Sequence, residues 1–118
     1  MEFVRSPDTH NRRMAVHLTQ GVIEFINVED IVYLEADGVT TRFCLAENKS
    51  LMAARNLGQY EAFLTQHRNF FSISNSLLVN LDQMQRYDHA EKAVTMANGK
   101  VLYASRRGRQ DLCNRLNR

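Results

Sequence analysis

The chain has 118 residues, of which 44% are hydrophobic, 24% charged and 8% aromatic, and its formal net charge is only +2. That length supports one domain with a real core and leaves little room for a second. The ordinary apolar fraction and small net charge argue against disorder, and no run approaches the ~18 apolar residues that would span a bilayer.

Residues 1–12 are polar and charged, contain Pro7 and hold no sustained period. They read as a tail or the remnant of a linker without a signal-peptide core, which leaves residues 13–118 as the domain. Met14–Thr19 and Val22–Asn27 are short strand-like runs joined around Gln20-Gly21, and Val28-Glu29-Asp30 is a polar corner. Ile31–Ala36 reads as a strand that turns at Asp37-Gly38, a strong hairpin signal. Thr40–Leu45 follows, with Thr41, Phe43 and Leu45 on one face and Thr40, Arg42 and Cys44 on the other. Glu47-Asn48-Lys49 makes the next turn before a strand at Ser50–Ala54. Asn56 and Gln59 form a capping pair for a helix at Leu57–Gln66, whose Leu57, Tyr60, Phe63 and Leu64 make one core face. Phe70–Ile73 is a strand, Ser74-Asn75-Ser76 interrupts it, and Leu77–Leu81 resumes the apolar pattern. Met84–Asp88 and Ala93–Met96 flank a turn at His89-Ala90-Glu91, and Asn98-Gly99 returns the chain into Lys100–Ala104. Ser105 can cap a last helix, Arg106–Leu116, with Leu112 and Leu116 docking on the sheet. The expected architecture is mainly β, an antiparallel fold of short strands with one mid-chain helix and a short C-terminal one.

The near-neutral total hides an asymmetry. Residues 1–65 carry six basic and nine acidic side chains, whereas residues 66–118 carry nine basic and four acidic. Twelve of the fifteen cations are Arg, whose planar fork suits phosphates and base edges. The basic half therefore points to nucleic acid. Cys44 and Cys113 stand far apart, which fits a reducing cytoplasm and small packing residues. There is no phosphate-binding Gly-rich loop and no Gly-x-Ser-x-Gly elbow, and the four His are isolated. No catalytic residues, metal ligands or cofactor are expected, and an enzyme is a poor reading.

Three places break the rules of stability. At Ser105-Arg106-Arg107-Gly108-Arg109 three guanidinium groups crowd the start of a helix, where partial positive charge already sits. The crowding becomes favourable once an anion docks there. At Phe71-Ser72-Ile73-Ser74-Asn75-Ser76 small polar residues break an apolar strand. Asn pairs bidentately with adenine, and Ser holds phosphate oxygens. At the tip Asp37-Gly38-Val39-Thr40-Thr41-Arg42, two Thr and one Arg stand next to a tight turn. Each place also has a plainer reading, respectively a solvated basic helix end, a chain-reversing Asx or Ser turn, and an ordinary hairpin.

Four segments, in order, resemble the LytTR DNA-binding domain family. They are Ile26–Gly38, Asn56–Glu61, Phe70–Leu81 and Asn98–Arg107, and the likeness spans roughly residues 14–116. The resemblance implies an elongated, mostly antiparallel β fold of about ten strands that meets the major groove through loops. It further implies the output domain of a bacterial response regulator in two-component signalling, binding paired direct repeats upstream of promoters, with a receiver domain in a longer parent chain and room for a dimer on DNA. By position, the DNA-facing residues are the tip Thr40, Thr41 and Arg42, the turn Ser74, Asn75 and Ser76, and Arg106 and Arg107, which are the three places already singled out. Ser72 stands where the family usually has Arg, and Ser74 where it usually has His. Each lost base contact is worth ~1–3 kcal/mol of discrimination, so a modest affinity or an altered preferred sequence is expected.

The leading expectation is sequence-specific binding of double-stranded DNA for transcriptional regulation. Arg106, Arg107 and Asn75 would read bases, while Ser74, Ser76, Arg42, Lys49 and Arg109 would position the backbone. One alternative is a protein-interaction module with weakened or lost DNA binding. RNA binding is a weaker alternative, because Phe70, Phe71 and Tyr103 read as core and not as stacking platforms.

Overall fold

The computed structural model describes residues 13–117, so the expectation for residues 1–12 lies outside the described residues. Ten strands are described: β1 (Arg13–His17), β2 (Ile23–Asn27), β3 (Ile31–Asp37), β4 (Thr40–Leu45), β5 (Ser50–Ala53), β6 (Phe70–Ser74), β7 (Leu77–Asn80), β8 (Met84–Asp88), β9 (Ala93–Met96) and β10 (Val101–Tyr103). Two α-helices accompany them, α1 (Leu57–His67) and α2 (Arg106–Leu116). The strands form three antiparallel sheets: β1-β2, a central β5-β4-β3-β7-β6, and β10-β9-β8. The molecule is elongated, 47 × 33 × 25 Å.

The central sheet separates two cores. On one face Leu34, Phe43 and Leu78 pack with Val16 and Ile26 of the β1-β2 ribbon and with Leu57, Tyr60 and Leu64 of α1. On the other face Val79, Tyr33 and Cys44 pack with Val94, Met96 and Leu102 of the third sheet and with Leu112 of α2. A strand that alternates strictly cannot send Val32 and Tyr33, which are neighbours, into the same core. A bulge between Ile31 and Tyr33 does so. Beside it, the buried Asn80 carboxamide donates to the Ile31 carbonyl at 2.9 Å and accepts from the Asp82 N–H at 3.0 Å. The β3–β4 hairpin closes at Gly38, whose φ of +64° is open to a residue without a Cβ.

Local capping sets both helices. The Asn56 side chain accepts from the Gln59 N–H at the start of α1, and the Ser105 side chain accepts from the Gly108 N–H at the start of α2. Several expected core positions lie outside the cores. Phe63 is 41% exposed, with the Arg68 guanidinium 5.7 Å over its ring, and among the described side chains of α1 those buried are Leu57, Tyr60 and Leu64. Leu116 is half-exposed, and only Leu112 anchors α2 by an apolar side chain. Tyr103 points outward from the edge strand β10 and is exposed, unlike the buried Phe70 and half-buried Phe71. The C-terminal end of α2 is held instead by Arg115, which donates to the Asn69 side chain at 3.1 Å and lies over the Phe71 ring. Both cysteines are free thiols; Cys44 is buried, and Cys113 sits beside Tyr87 and His89.

Candidate nucleic-acid interface

The β6–β7 turn is built by its own serines. The Ser72 hydroxyl donates to the Ser74 carbonyl at 2.8 Å, and the Ser76 N–H donates to the Ser74 hydroxyl at 3.2 Å. Ser72 and Ser74, the two positions that depart from the family pattern, are therefore occupied with closing the turn. Asn75 is exposed at the apex, and its carboxamide makes no hydrogen bond to any described residue.

This turn lies against the start of α2. A second bulge, between Ser72 and Ser74, turns Ile73 into the core and leaves its carbonyl off the ladder. The Ser105 N–H donates to that carbonyl at 2.9 Å, and the Ser105 hydroxyl does so at 3.3 Å. The first turn of α2 contains no acid. Arg106 and Arg107 are exposed there, and the Arg107 side chain is 91% exposed, with its Nε 3.9 Å from Asp111. An exposed pair of this kind contributes at most about 1 kcal/mol, so it yields readily to a phosphate or a base. Ser74, Asn75, Arg107 and Asp111 line one open cleft of about 210 Å³. A free carboxamide, a guanidinium fork and a helix N-terminus thus face one small volume, a combination suited to a phosphate and an adjoining base edge.

The remaining expected residues fall elsewhere. Arg106 and Arg109 line a neighbouring depression with His89 and Cys113, and Arg109 donates back to the Ala104 carbonyl at 3.3 Å. The β3–β4 tip lies beside the β6–β7 turn, because the Ala36 N–H donates to the Ser76 carbonyl at 2.9 Å. There the Thr40 hydroxyl folds back onto the Asp37 carbonyl at 2.7 Å. Thr41 corrects an expectation. It is fully buried on the Phe43 face, and its hydroxyl donates to the Arg55 carbonyl at 2.8 Å, so it braces β4 and cannot touch a ligand. Arg42 and Lys49 line a groove of about 420 Å³ with Tyr33, Glu35 and Lys100. Arg42 lies 3.6 Å from Asp37 and Lys49 3.9 Å from Glu47.

Sequence reasoning missed Lys100 and Asp111. Lys100 follows the Asn98-Gly99 turn, and a cation at a hairpin end is a weak signal that could have been followed. Nothing local marks Asp111 as a neighbour of Arg107 beyond the i,i+4 spacing. Among the described residues, no group of three or more His, Cys, Asp or Glu is placed to hold a metal ion, and no helix is long and apolar enough to cross a membrane.

Comparison with known proteins identifies the family and the fold. The chain matches the family model of the LytTr DNA-binding domain over residues 9–117. Among curated proteins none matches. Among solved structures it is similar to the LytTr DNA-binding domain of a methyl-accepting/DNA response regulator from Bacillus cereus. The TM-score is 0.73 at 19% identity, covering 90% of this chain and 97% of that one. With a family match over nearly its whole length and the same fold, the chain belongs to the LytTr DNA-binding domain family.

Proposed function

We propose that this domain reads a specific sequence in double-stranded DNA and acts as the transcription-regulating output module of a bacterial response regulator, working in the cytoplasm. Arg107 and Asn75 read base edges in the major groove from the cleft at the start of α2, with Arg106 beside them. Ser74, Ser76 and Thr40 meet the sugar-phosphate backbone at the loop tips. Arg42, Lys49 and Arg109 attract and position the phosphates. Paired direct repeats engaged by two copies, and a receiver domain in the parent chain, complete this reading.

The observation that carries it is the shared cleft of Asn75 and Arg107. Arg reads guanine and Asn reads adenine, each bidentately, and two such groups from distant parts of the chain meet at one open cleft. The decisive experiment selects preferred duplexes from a random pool and then titrates salt against the winner and a scrambled duplex. The expected result is a defined motif, bound more tightly than the scrambled duplex, with both affinities falling steeply as salt rises. A pool that never enriches, or no binding even at low salt, would sink the proposal; retained binding to a protein partner would then favour the interaction-module alternative.

A further inference from the structure

The seam between α2 and the β6–β7 turn is closer than helix packing on a strand allows for any residue with a side chain. Gly108 is buried in the first turn of α2, over the Ile73 carbonyl. A Cβ on Gly108 would lie 1.9 Å from the Ile73 carbonyl oxygen, 2.6 Å from its carbon and 3.0 Å from the Ile73 Cα. All three are backbone atoms and cannot swing aside. Glycine also weakens a helix relative to alanine, so nothing within α2 itself calls for it here.

We propose that Gly108 is a positioning residue for sequence recognition: its missing side chain seats α2 on the bulged Ile73 carbonyl and so fixes the offset between the Arg107 guanidinium and the Asn75 carboxamide. This rests on the function proposed above. Gly108 directly follows Arg107, and Ile73 stands two residues before Asn75, so the contact joins the two base-reading groups through a few backbone bonds. The Ser105 hydroxyl stiffens that path, donating to the Ile73 carbonyl while accepting from the Gly108 N–H at 3.0 Å. A methyl group at position 108 would push α2 away from β6 by about 1.5 Å before contact distances become ordinary. Bidentate recognition by two groups tolerates only about 0.5 Å of misplacement. Charge is untouched by such a shift, so general attraction to DNA survives while discrimination does not.

The test compares the wild type with Gly108→Ala and Ser105→Ala. Fold is followed by circular dichroism and thermal melting, and affinity is measured on the selected duplex and on a scrambled one. Gly108→Ala is expected to keep its affinity for the scrambled duplex and to lose roughly tenfold or more on the selected one, and the amide resonances of Ser74–Ser76 should move. A purely structural role would lower both affinities in proportion to the folded fraction and leave their ratio intact, and that result overturns the proposal. So does an unchanged selected motif. Should Gly108→Ala fail to fold, Ser105→Ala decides. It keeps the glycine and loosens the same seam, and its selected-to-scrambled ratio must fall several-fold; a folded Ser105→Ala with the wild-type ratio overturns the proposal. Failure of the underlying function is distinguishable, because then the wild type itself selects no motif.

Discussion

Two basic regions of this molecule hold their cations in different ways. At the α2 seam the frame is backbone on backbone: Ser105 and Gly108 sit on the Ile73 carbonyl, and Arg107 and Asn75 project from that frame into solvent. In the groove beside β4 the cations Arg42 and Lys49 stand on a hairpin tip and a tight turn, each within 4 Å of an exposed acid that comes from its own loop. The difference suits two tasks. A rigid frame can hold a fork and a carboxamide to the tolerance that base edges demand. Paired surface cations hold no such geometry, but their acids are released at little cost, and they supply attraction that ignores sequence.

The sharpest way to break this comparison is at Arg107. Its exposed side chain contributes little to folding, so Arg107→Ala should leave the melting temperature unchanged while reducing affinity for the selected duplex by about 1–3 kcal/mol, roughly five- to 150-fold. Fluorescence anisotropy and thermal melting together check this, and near-wild-type binding would refute the assignment. Asn75→Ala should act one step more narrowly, relaxing base choice at a single position; a repeat of the duplex selection that returned the wild-type motif would count against it. In the groove the expected signature is different in kind. Arg42→Ala and Lys100→Ala should weaken selected and scrambled duplexes alike and flatten the salt dependence by about one unit of slope for each phosphate contact removed. A sequence-dependent loss at Arg42 would erase the distinction between the two regions.

How much of this was legible in the sequence follows from how local each determinant is. The ends of β4, β8, β9 and α2 coincide with expectation, and so does the start of α1, because Asn56, Gln59, Ser105 and the hairpin residues act within a few positions of themselves. The burial of Thr41 was also legible, because alternation puts it on the Phe43 face. The bulges in β3 and β6 were not legible, since period-two reasoning assigns Val32 and Tyr33 to opposite faces. Nor were the exposure of Phe63 and Leu116, which depends on where the partner surface stops, or the meeting of Lys100 with Arg42 and of Gly108 with Ile73. Those contacts join residues far apart in the chain, and the order of strands β10-β9-β8 and β5-β4-β3-β7-β6 creates them.

The smallest expected effect lies at the floor of the groove. Burial, reinforced by a hydrogen bond with the Cys44 thiol, pushes the Tyr33 hydroxyl well above the ordinary tyrosine value of 10.0, and burial pushes Tyr60 in the same direction. The folded state therefore favours the protonated phenol. Its contribution to stability is fully present below pH 10 and is lost as pH rises from there through the folded-state value. Wild-type stability, followed as the urea midpoint, should fall between pH 9 and pH 11, because unfolded tyrosine releases its proton in that window. Tyr33→Phe has no proton to lose there, so its midpoint should fall less steeply, with the Tyr60 contribution remaining. At pH 8 the variant forfeits only the contact with the thiol, so the two proteins should lie close together. Equal slopes would mean that Tyr33 titrates normally in the fold and that the groove floor is wetter than its packing against Cys44 implies. A shallower slope in the variant would show that the groove's cations rest on a dry, closed sheet, and that the region differs from the α2 seam in how its charges are held and not in how well its backbone is packed.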